Sequence, residues 1–91
     1  MSERAQAATQ AARLDVLNAV VAVQDDVAGL VELVATARDR PEAAARLRER
    51  YGISAQGADA VLDMQLGRLT QVQRERIVEE RDARAQELGE T

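Results

Sequence analysis

Two ladders of aliphatic side chains run through the first 38 residues, and they constrain the fold more than any other feature of the chain. Their members recur mostly at spacings of three and four, the period of an α-helix, and no proline interrupts them. We therefore predict one helix over residues 3–38 with two neighbouring apolar faces. Either one face packs inside the chain and the other meets a partner, or both fill a wide internal core. One ladder is Val20, Val23, Val27, Leu30 and Val34, and the other is Leu14, Leu17, Val21, Ala28 and Val31.

Two shorter helices are predicted next. Pro41 suits the first turn of a helix and Gly52 suits the residue after the last turn, so residues 41–51 should be helical. A third helix follows, with Ser54 as its expected N-cap. Its apolar stripe is expected in the core or at a dimer interface, and consists of Ala58, Leu62, Leu66 and Leu69, with Val61 and Met64 beside it.

A fourth helix is signalled by a capping box. Thr70 and Gln73 are three residues apart and can satisfy each other's backbone N–H groups, so the helix should begin at Gln71. The break before it falls at residues 67–70.

The fold class is predicted to be all-α, in a single domain over residues 1–91. Its aliphatic residues and abundant Ala, Arg, Glu and Gln suit packed helices. The order is a long helix, two short helices and a long helix. Apolar residues thin out at both ends, so residues 14–78 should form a globular head. Residues 1–13 and 79–91 should form helical arms that pair as a short antiparallel stalk.

The composition leaves little room for catalysis. The chain has no Cys and no His, which removes disulfides, thiolate and imidazole chemistry and nearly every zinc site. We expect no cofactor, no metal and no enzyme activity from the chain by itself. Tyr51, the single aromatic residue, is expected to pack, and Asp25 and Asp26 are expected to form a solvated polar face. The arginines within residues 46–50 alternate along a helix and do not share one face, so a phosphate site is not expected.

Charge and hydropathy limit the partners. Sixteen acidic residues against 12 basic ones give a net charge of −4, which opposes autonomous binding to nucleic acid. No apolar stretch approaches the roughly 18 residues that a membrane span needs. We therefore expect a cytoplasmic protein that does not bind membranes.

The stretch YGISAQGADAVLDMQLGRLTQVQRERI, residues 51–77, carries the most specific pattern. Together with RLDVLNAVVAVQDDVAGLVELV and DRPEAAARLRERYG before it, it resembles the exit-gate (C-gate) coiled-coil region of the A subunit of bacterial DNA gyrase and topoisomerase IV. The resemblance covers about residues 13–80, and Leu-Asp-Met-x-Leu-x-Arg-Leu-Thr is its core. Departures from the family pattern are Gly29, where an acidic residue is common, and Gln65, Gly67 and Gln71.

This resemblance implies a non-catalytic dimerisation module. In the intact enzymes, two such heads meet across a twofold axis, hold the dimer while the DNA gate is open, and part to release the transported duplex. The winged-helix domain and its DNA-cleaving tyrosine have no counterpart here, and Tyr51 does not match that tyrosine. Candidate core or dimer-interface residues are Val20, Val23, Val27, Leu30, Val34, Leu62, Met64, Leu66 and Leu69.

Three interpretations stay open at this point. The chain is an excised part of an A subunit, or a separate small protein that forms a homodimer and pairs with or modulates the A subunit of gyrase or topoisomerase IV. The third is a generic helical adaptor unrelated to topoisomerases.

Overall fold

The computed structural model describes residues 3–89. These residues form five α-helices and one short 3₁₀ turn, with no strand among them, so the predicted all-α class is confirmed. The helices are α1 (Glu3–Gln24), α2 (Val27–Thr36), α3 (Arg40–Tyr51), α4 (Ala55–Asp63) and α5 (Gln71–Gly89), and the 3₁₀ turn spans Leu66–Leu69.

The prediction of one continuous helix over residues 3–38 is wrong, because the chain breaks at Asp25 and Asp26. The N–H of Asp26 donates to the carbonyl of Val23 at 3.0 Å, which tightens the last turn of α1. The backbone of Asp26 then leaves the helical region, with φ −146° and ψ 53°. Both aspartate side chains pair with arginines on other helices. Tertiary ion pairs therefore override the local helical pattern, at residues that are only moderate helix formers.

The ends of α3 follow the predicted signals, with one addition. Gly52 adopts a left-handed conformation with φ 64°, and its N–H donates to the carbonyl of Arg48 at 2.9 Å. Glycine adopts this conformation without the steric cost of a Cβ atom. The N-cap is Asp39, whose carboxylate accepts from the N–H of Glu42 at 3.0 Å. The sequence pattern indicated Pro41 in the first turn but did not predict this cap.

The N-cap of α4 is Ser54, as predicted. Its Oγ accepts from the N–H of Gly57 at 3.0 Å. The helix is short and ends at Asp63, so the expected stripe that ran on to Leu69 is divided between α4, a connecting segment and the 3₁₀ turn.

The start of α5 at Gln71 is also confirmed, although only half of the expected capping box forms. The Oγ1 atom of Thr70 accepts from the N–H of Gln73 at 3.4 Å. The N–H of Thr70 donates to the carbonyl of Gly67 at 3.4 Å, where the box would have used the Gln73 side chain. The break between α4 and α5 is accordingly wider than predicted, because it spans residues 64–70.

The core lies on both sides of α1. One cluster joins α1 to α2, α3 and α4, and a smaller cluster joins α1 to α5. At Gly57, α4 passes so close to α1 that an added Cβ would lie 2.8 Å from the Cβ of Ala19, so only glycine fits. The first cluster is Ala19, Val23, Leu30, Leu47, Ala58 and Val61, and the second is Leu17, Val20 and Ile77.

The candidate apolar residues divide into buried and exposed sets. Val20, Val23 and Leu30 are buried, and Leu62 and Met64 are partly buried against the core. Of the two places expected for Leu66, the core is ruled out, because its side chain is 78% exposed. Val27 and Val34, on the ladder of the first predicted helix, are exposed as well, and Leu69 is half-buried.

These burial differences predict how two leucines contribute to stability. Leu47 is fully buried, so Leu47→Ala should lower the free energy of unfolding by about 2–5 kcal/mol. Leu66→Ala should change it by less than about 0.5 kcal/mol in the monomer, since exposed side chains lose little. Urea melts at a protein concentration low enough to keep copies apart would measure both, and an equal loss would contradict the assigned burial.

The lengths of the two N-cap hydrogen bonds, at Ser54 and at Thr70, predict which substitution lowers stability more. Ser54→Ala removes a bond of 3.0 Å and should cost about 1 kcal/mol, whereas Thr70→Ala removes one of 3.4 Å and should cost about 0.5 kcal/mol. Gln73→Ala should cost less than either, because its side chain does not complete the capping box. Melts of the three variants under one condition would test this order.

Candidate protein interaction surface

An apolar groove lies between α2 and the segment that links α4 to α5. Its volume is about 280 Å³ and it opens to solvent. One wall is α2, and the other is made by the end of α4, Met64 and the 3₁₀ turn. The lining residues are Leu30, Val31, Val34, Ala35, Val61, Leu62, Met64, Leu66 and Leu69, and this set is called the groove below.

Much of the lining is exposed to a degree that is unusual for large apolar side chains. Val31 is 54% exposed and Val34 is 38% exposed on the α2 wall, and Leu66 is 78% exposed on the opposite wall. Scattered exposed apolar residues are ordinary, but a contiguous set around one concavity marks an interaction site. Most of this set was predicted from the sequence as core or interface, but Val31 was placed on the second ladder and was not among the candidates.

The α2 wall is anchored by an ion pair at the break that precedes it. The Arg50 guanidinium donates from Nε at 3.0 Å and from Nη2 at 2.7 Å to Oδ2 of Asp26. The Tyr51 hydroxyl donates to the same oxygen at 2.9 Å, and the Arg50 guanidinium carbon lies 5.6 Å from the centre of the Tyr51 ring. We call these three residues the Asp26 cluster. The Asp26 side chain is 37% exposed, so it is partly solvated as expected, but it also pairs with Arg50, which was not predicted. Tyr51 packs as expected and in addition donates a hydrogen bond.

The cluster perturbs the protonation of its members in a consistent way. The hydrogen bond from the Arg50 guanidinium, followed by that from Tyr51, holds the pKa of Asp26 below its ordinary value of 3.8. Partial burial, and then the hydrogen bond to Asp26, raise the pKa of Tyr51 above 10.0. A phenol in this state is a poor nucleophile, because the thermodynamic cost of making phenolate has increased.

Two further ion pairs connect α1 and its break to α5. Arg74 pairs with Asp25, and Arg13 pairs with Glu80 at 2.9 Å. Partial burial, the largest single effect, would raise the pKa of Glu80, but the hydrogen bonds and charges of Arg13 and Arg84 together outweigh it and lower the pKa from 4.5. Asp25 is thus also not simply solvated. The adjacent aspartates point to different helices, Asp25 to α5 and Asp26 to α3.

A buried glutamine positions the second wall of the groove. Gln24, the last residue of α1, is 6% exposed, and its Nε2 donates to the carbonyl of Arg68 at 2.8 Å. This bond fixes the 3₁₀ turn, and with it Leu66 and Leu69, against the end of α1. The sequence pattern around residue 24 did not predict this hydrogen bond, because it joins residues 44 positions apart.

The described residues offer no arrangement suited to metal binding. Among residues 3–89, no group of three acidic side chains is placed to hold a metal ion. The arginines within residues 46–50 do not converge either, since Arg46 pairs with Glu42 while Arg50 pairs with Asp26. None of the described helices combines the length and the apolar character needed to cross a bilayer.

The fold and the groove define a small all-α domain with an exposed apolar face. Comparison with known proteins shows which proteins this domain is similar to. No family model matches the chain. It is 34% identical over 76 residues to the A subunit of DNA topoisomerase 4 from Synechocystis. It is 38% identical over 69 residues to the DNA gyrase A subunit of Lawsonia intracellularis and 29% identical over 76 residues to the chloroplastic/mitochondrial DNA gyrase A subunit of Arabidopsis thaliana.

These matches span most of this chain and little of the relatives. They cover 84%, 76% and 84% of the chain, respectively, but only 8% of the length of each relative. The predicted resemblance to the A subunits of gyrase and topoisomerase IV is confirmed. The chain is therefore similar to one small segment of those subunits.

The Asp26 cluster predicts a particular dependence of stability on pH. The pKa of Asp26 is lower in the folded chain than in the unfolded chain, so the unfolded state takes up the proton first as pH falls. The contribution of the cluster is therefore complete well above pH 3.8 and is lost below it, as pH approaches the folded pKa. Asp26→Asn should be less stable than wild type at neutral pH and lose less stability on acidification.

Urea midpoints between about pH 6 and about pH 3 would measure this effect. Glu87→Gln, which neutralises an exposed carboxylate on α5, is a matched control and should keep the wild-type slope. A slope for Asp26→Asn equal to that of wild type would show that the ion pair does not contribute to folding.

Proposed function

We propose that this chain is a non-catalytic dimerisation module of the exit-gate type, and that two copies associate through their grooves. The observation that carries the proposal is the position of Leu66, which lines the open apolar groove and is itself 78% exposed. A protruding apolar side chain next to an apolar concavity is self-complementary. Under a twofold axis, Leu66 of each copy enters the groove of the other.

The size of the chain supports the same proposal. A domain of 91 residues buries a limited share of its surface, and the single aromatic residue of this one, Tyr51, is only partly buried against its core. Its long first ladder is divided, with Val20 and Val23 inside and Val34 on the open groove. Covering the groove with a second copy removes its exposed apolar side chains from water, which is the main favourable term in association.

The similarity to A subunits indicates what role this association would have. By analogy with the exit gate, paired heads hold two subunits together during strand passage and separate to release DNA. The residues that carry this role supply shape and reversible contact, and the hydroxyl of Tyr51 is engaged by Asp26. We accordingly assign DNA cleavage to other parts of the complete enzyme.

The proposed division into head and arms has one supporting contact. Arg13 and Glu80 lie at the two places where the arms were expected to leave the head, and they form an ion pair that joins α1 to α5. We propose that residues 14–78 form the associating head and that the flanking segments continue as an antiparallel pair. Residues 1, 2, 90 and 91 of these arms lie outside the described residues.

The first test is the mass in solution. Sedimentation equilibrium at tens of micromolar protein should give about twice the monomer mass of 9.9 kDa. Leu66→Asp should shift the equilibrium to monomer, because it places a charge in the apolar interface. Val72→Asp is the control, since Val72 is also exposed and apolar but does not line the groove, and an acid suits the first turn of α5. A wild-type monomer under these conditions would remove the dimerisation proposal.

A mixing experiment tests whether the chain also binds a complete gyrase A subunit. If the chain also pairs with complete A subunits, purified gyrase A subunit should form a complex with it that Leu66→Asp weakens and Val72→Asp does not. Complex formation unaffected by Leu66→Asp would place any such contact outside the groove.

Unaided DNA binding is not part of the proposed function. Phosphate binding needs clustered positive charge, whereas the net charge is −4 and many arginines pair with carboxylates. A gel-shift assay at low salt should show no retarded duplex at micromolar protein, and retardation there would contradict this. The paired arginines are Arg13, Arg40, Arg46, Arg50, Arg74, Arg81 and Arg84.

A further inference from the structure

The α2 wall of the groove is set between two interruptions of the helical chain. It begins directly after the break at Asp25 and Asp26 and ends at Thr36, before the link to α3. Within its ten residues, Leu30 is buried in the core and Leu33 packs partly against it. The remaining apolar residues of α2 face the groove or solvent, so its hydrophobic anchoring is slight. The direction of α2 therefore depends on what holds its first turn.

The Asp26 cluster provides that hold. The Asp26 backbone carbonyl accepts from the N–H of Leu30 at 2.9 Å, so Asp26 belongs to the first turn of α2. Its carboxylate is fixed to α3 by Arg50 at 2.7 Å and by the Tyr51 hydroxyl at 2.9 Å. A carboxylate that accepts from both a guanidinium fork and a phenol is restrained in direction as well as distance. Shifting α2 away from α3 would require both bonds to break.

Gly29 leaves the space in which this cluster fits. A Cβ atom at residue 29 would collide with Arg50 Nη2 and with the Asp26 carboxylate, and would lie 2.7 Å from Asp26 Oδ1. Glycine within a helix is otherwise unfavourable relative to alanine. Gly29 is not in the left-handed conformation, so the conformational freedom of glycine does not explain it. The need for space beside Arg50 and Asp26 explains why residue 29 is a glycine.

We infer that Asp26, Arg50 and Tyr51 are positioning residues for the groove, with Gly29 as the residue that accommodates them, and that they set the affinity of the chain for its second copy. This inference rests on the proposed function and deepens it. With the cluster formed, the α2 wall is held in the shape that receives the partner's Leu66. When the cluster is broken, α2 samples other positions. The apparent affinity for the second copy then falls in proportion to the fraction of chains that keep the shape able to bind.

The test uses two variants that leave every charge of the cluster in place. Gly29→Ala fills the space beside Arg50, and Tyr51→Phe removes one hydroxyl while keeping the ring that packs in the core. Each should raise the dimer dissociation constant roughly three- to tenfold, the scale expected for the loss of one partly exposed polar interaction. Gly89→Ala is the matched control, because a Cβ there meets nothing within 4 Å, and it should leave the constant unchanged.

Hydrogen exchange distinguishes this role from a general effect on folding. In Gly29→Ala and Tyr51→Phe, amides of residues 27–36 should exchange several-fold faster than in wild type, whereas those of α4 should keep their wild-type rates. Wild-type affinity in Gly29→Ala, or a uniform increase of exchange in all helices, would overturn the inference.

The outcome also separates this inference from the proposed function. If wild type dimerises and Gly29→Ala dimerises equally well, the groove interface stands and the positioning role is wrong. If wild type is monomeric, the dimerisation proposal fails, and with it the link between the cluster and affinity. Faster exchange confined to residues 27–36 in the two variants would then show only that the cluster orders α2.

Discussion

The carboxylate of Asp26 determines the shape of the surface on which the proposed function depends. Because it pairs with Arg50 and Tyr51 on α3, the first helix stops at Gln24 and α2 starts in a new direction. Had the helix continued, the apolar residues that follow would lie along one straight face. The break instead turns α2 so that Val31 and Val34 line one wall of a groove whose other wall carries Leu66.

Around that break, three contacts of different kinds locate the walls. The Asp26 cluster holds α2, the buried Gln24 amide holds the 3₁₀ turn through the Arg68 carbonyl, and the Gly57 contact brings α4 against α1. Each polar contact is modest in water-exposed settings, but the amide of Gln24 is buried, where an unmade hydrogen bond is costly. The groove is therefore a consequence of packing around α1, and its residues come from two separate parts of the chain, α2 and residues 61–69.

This architecture suits the association that we propose. The described residues concentrate polar contacts between helices and leave apolar side chains on one face, whereas a catalytic site would bring reactive groups into a concavity. The similarity to gyrase and topoisomerase IV A subunits covers 8% of their length, so it concerns one segment of those proteins. The exit-gate role that we propose would use the apolar face that this segment presents.

Local signals in the sequence determined several helix ends, and only the tertiary structure determined the break at Asp26 and the groove. The Ser54 and Thr70 caps and the Gly52 terminus were predictable, because each depends on backbone groups within a few residues. The all-α class and the resemblance to A subunits were likewise readable from pattern and motif. The break at Asp26 was not, since its partners lie 24 and 25 residues away and apolar periodicity carries no information about them. Leu66 shows the same limit: spacing placed it on a stripe, but the end of α4 at Asp63 turned it outward, and burial is decided by where the rest of the chain packs.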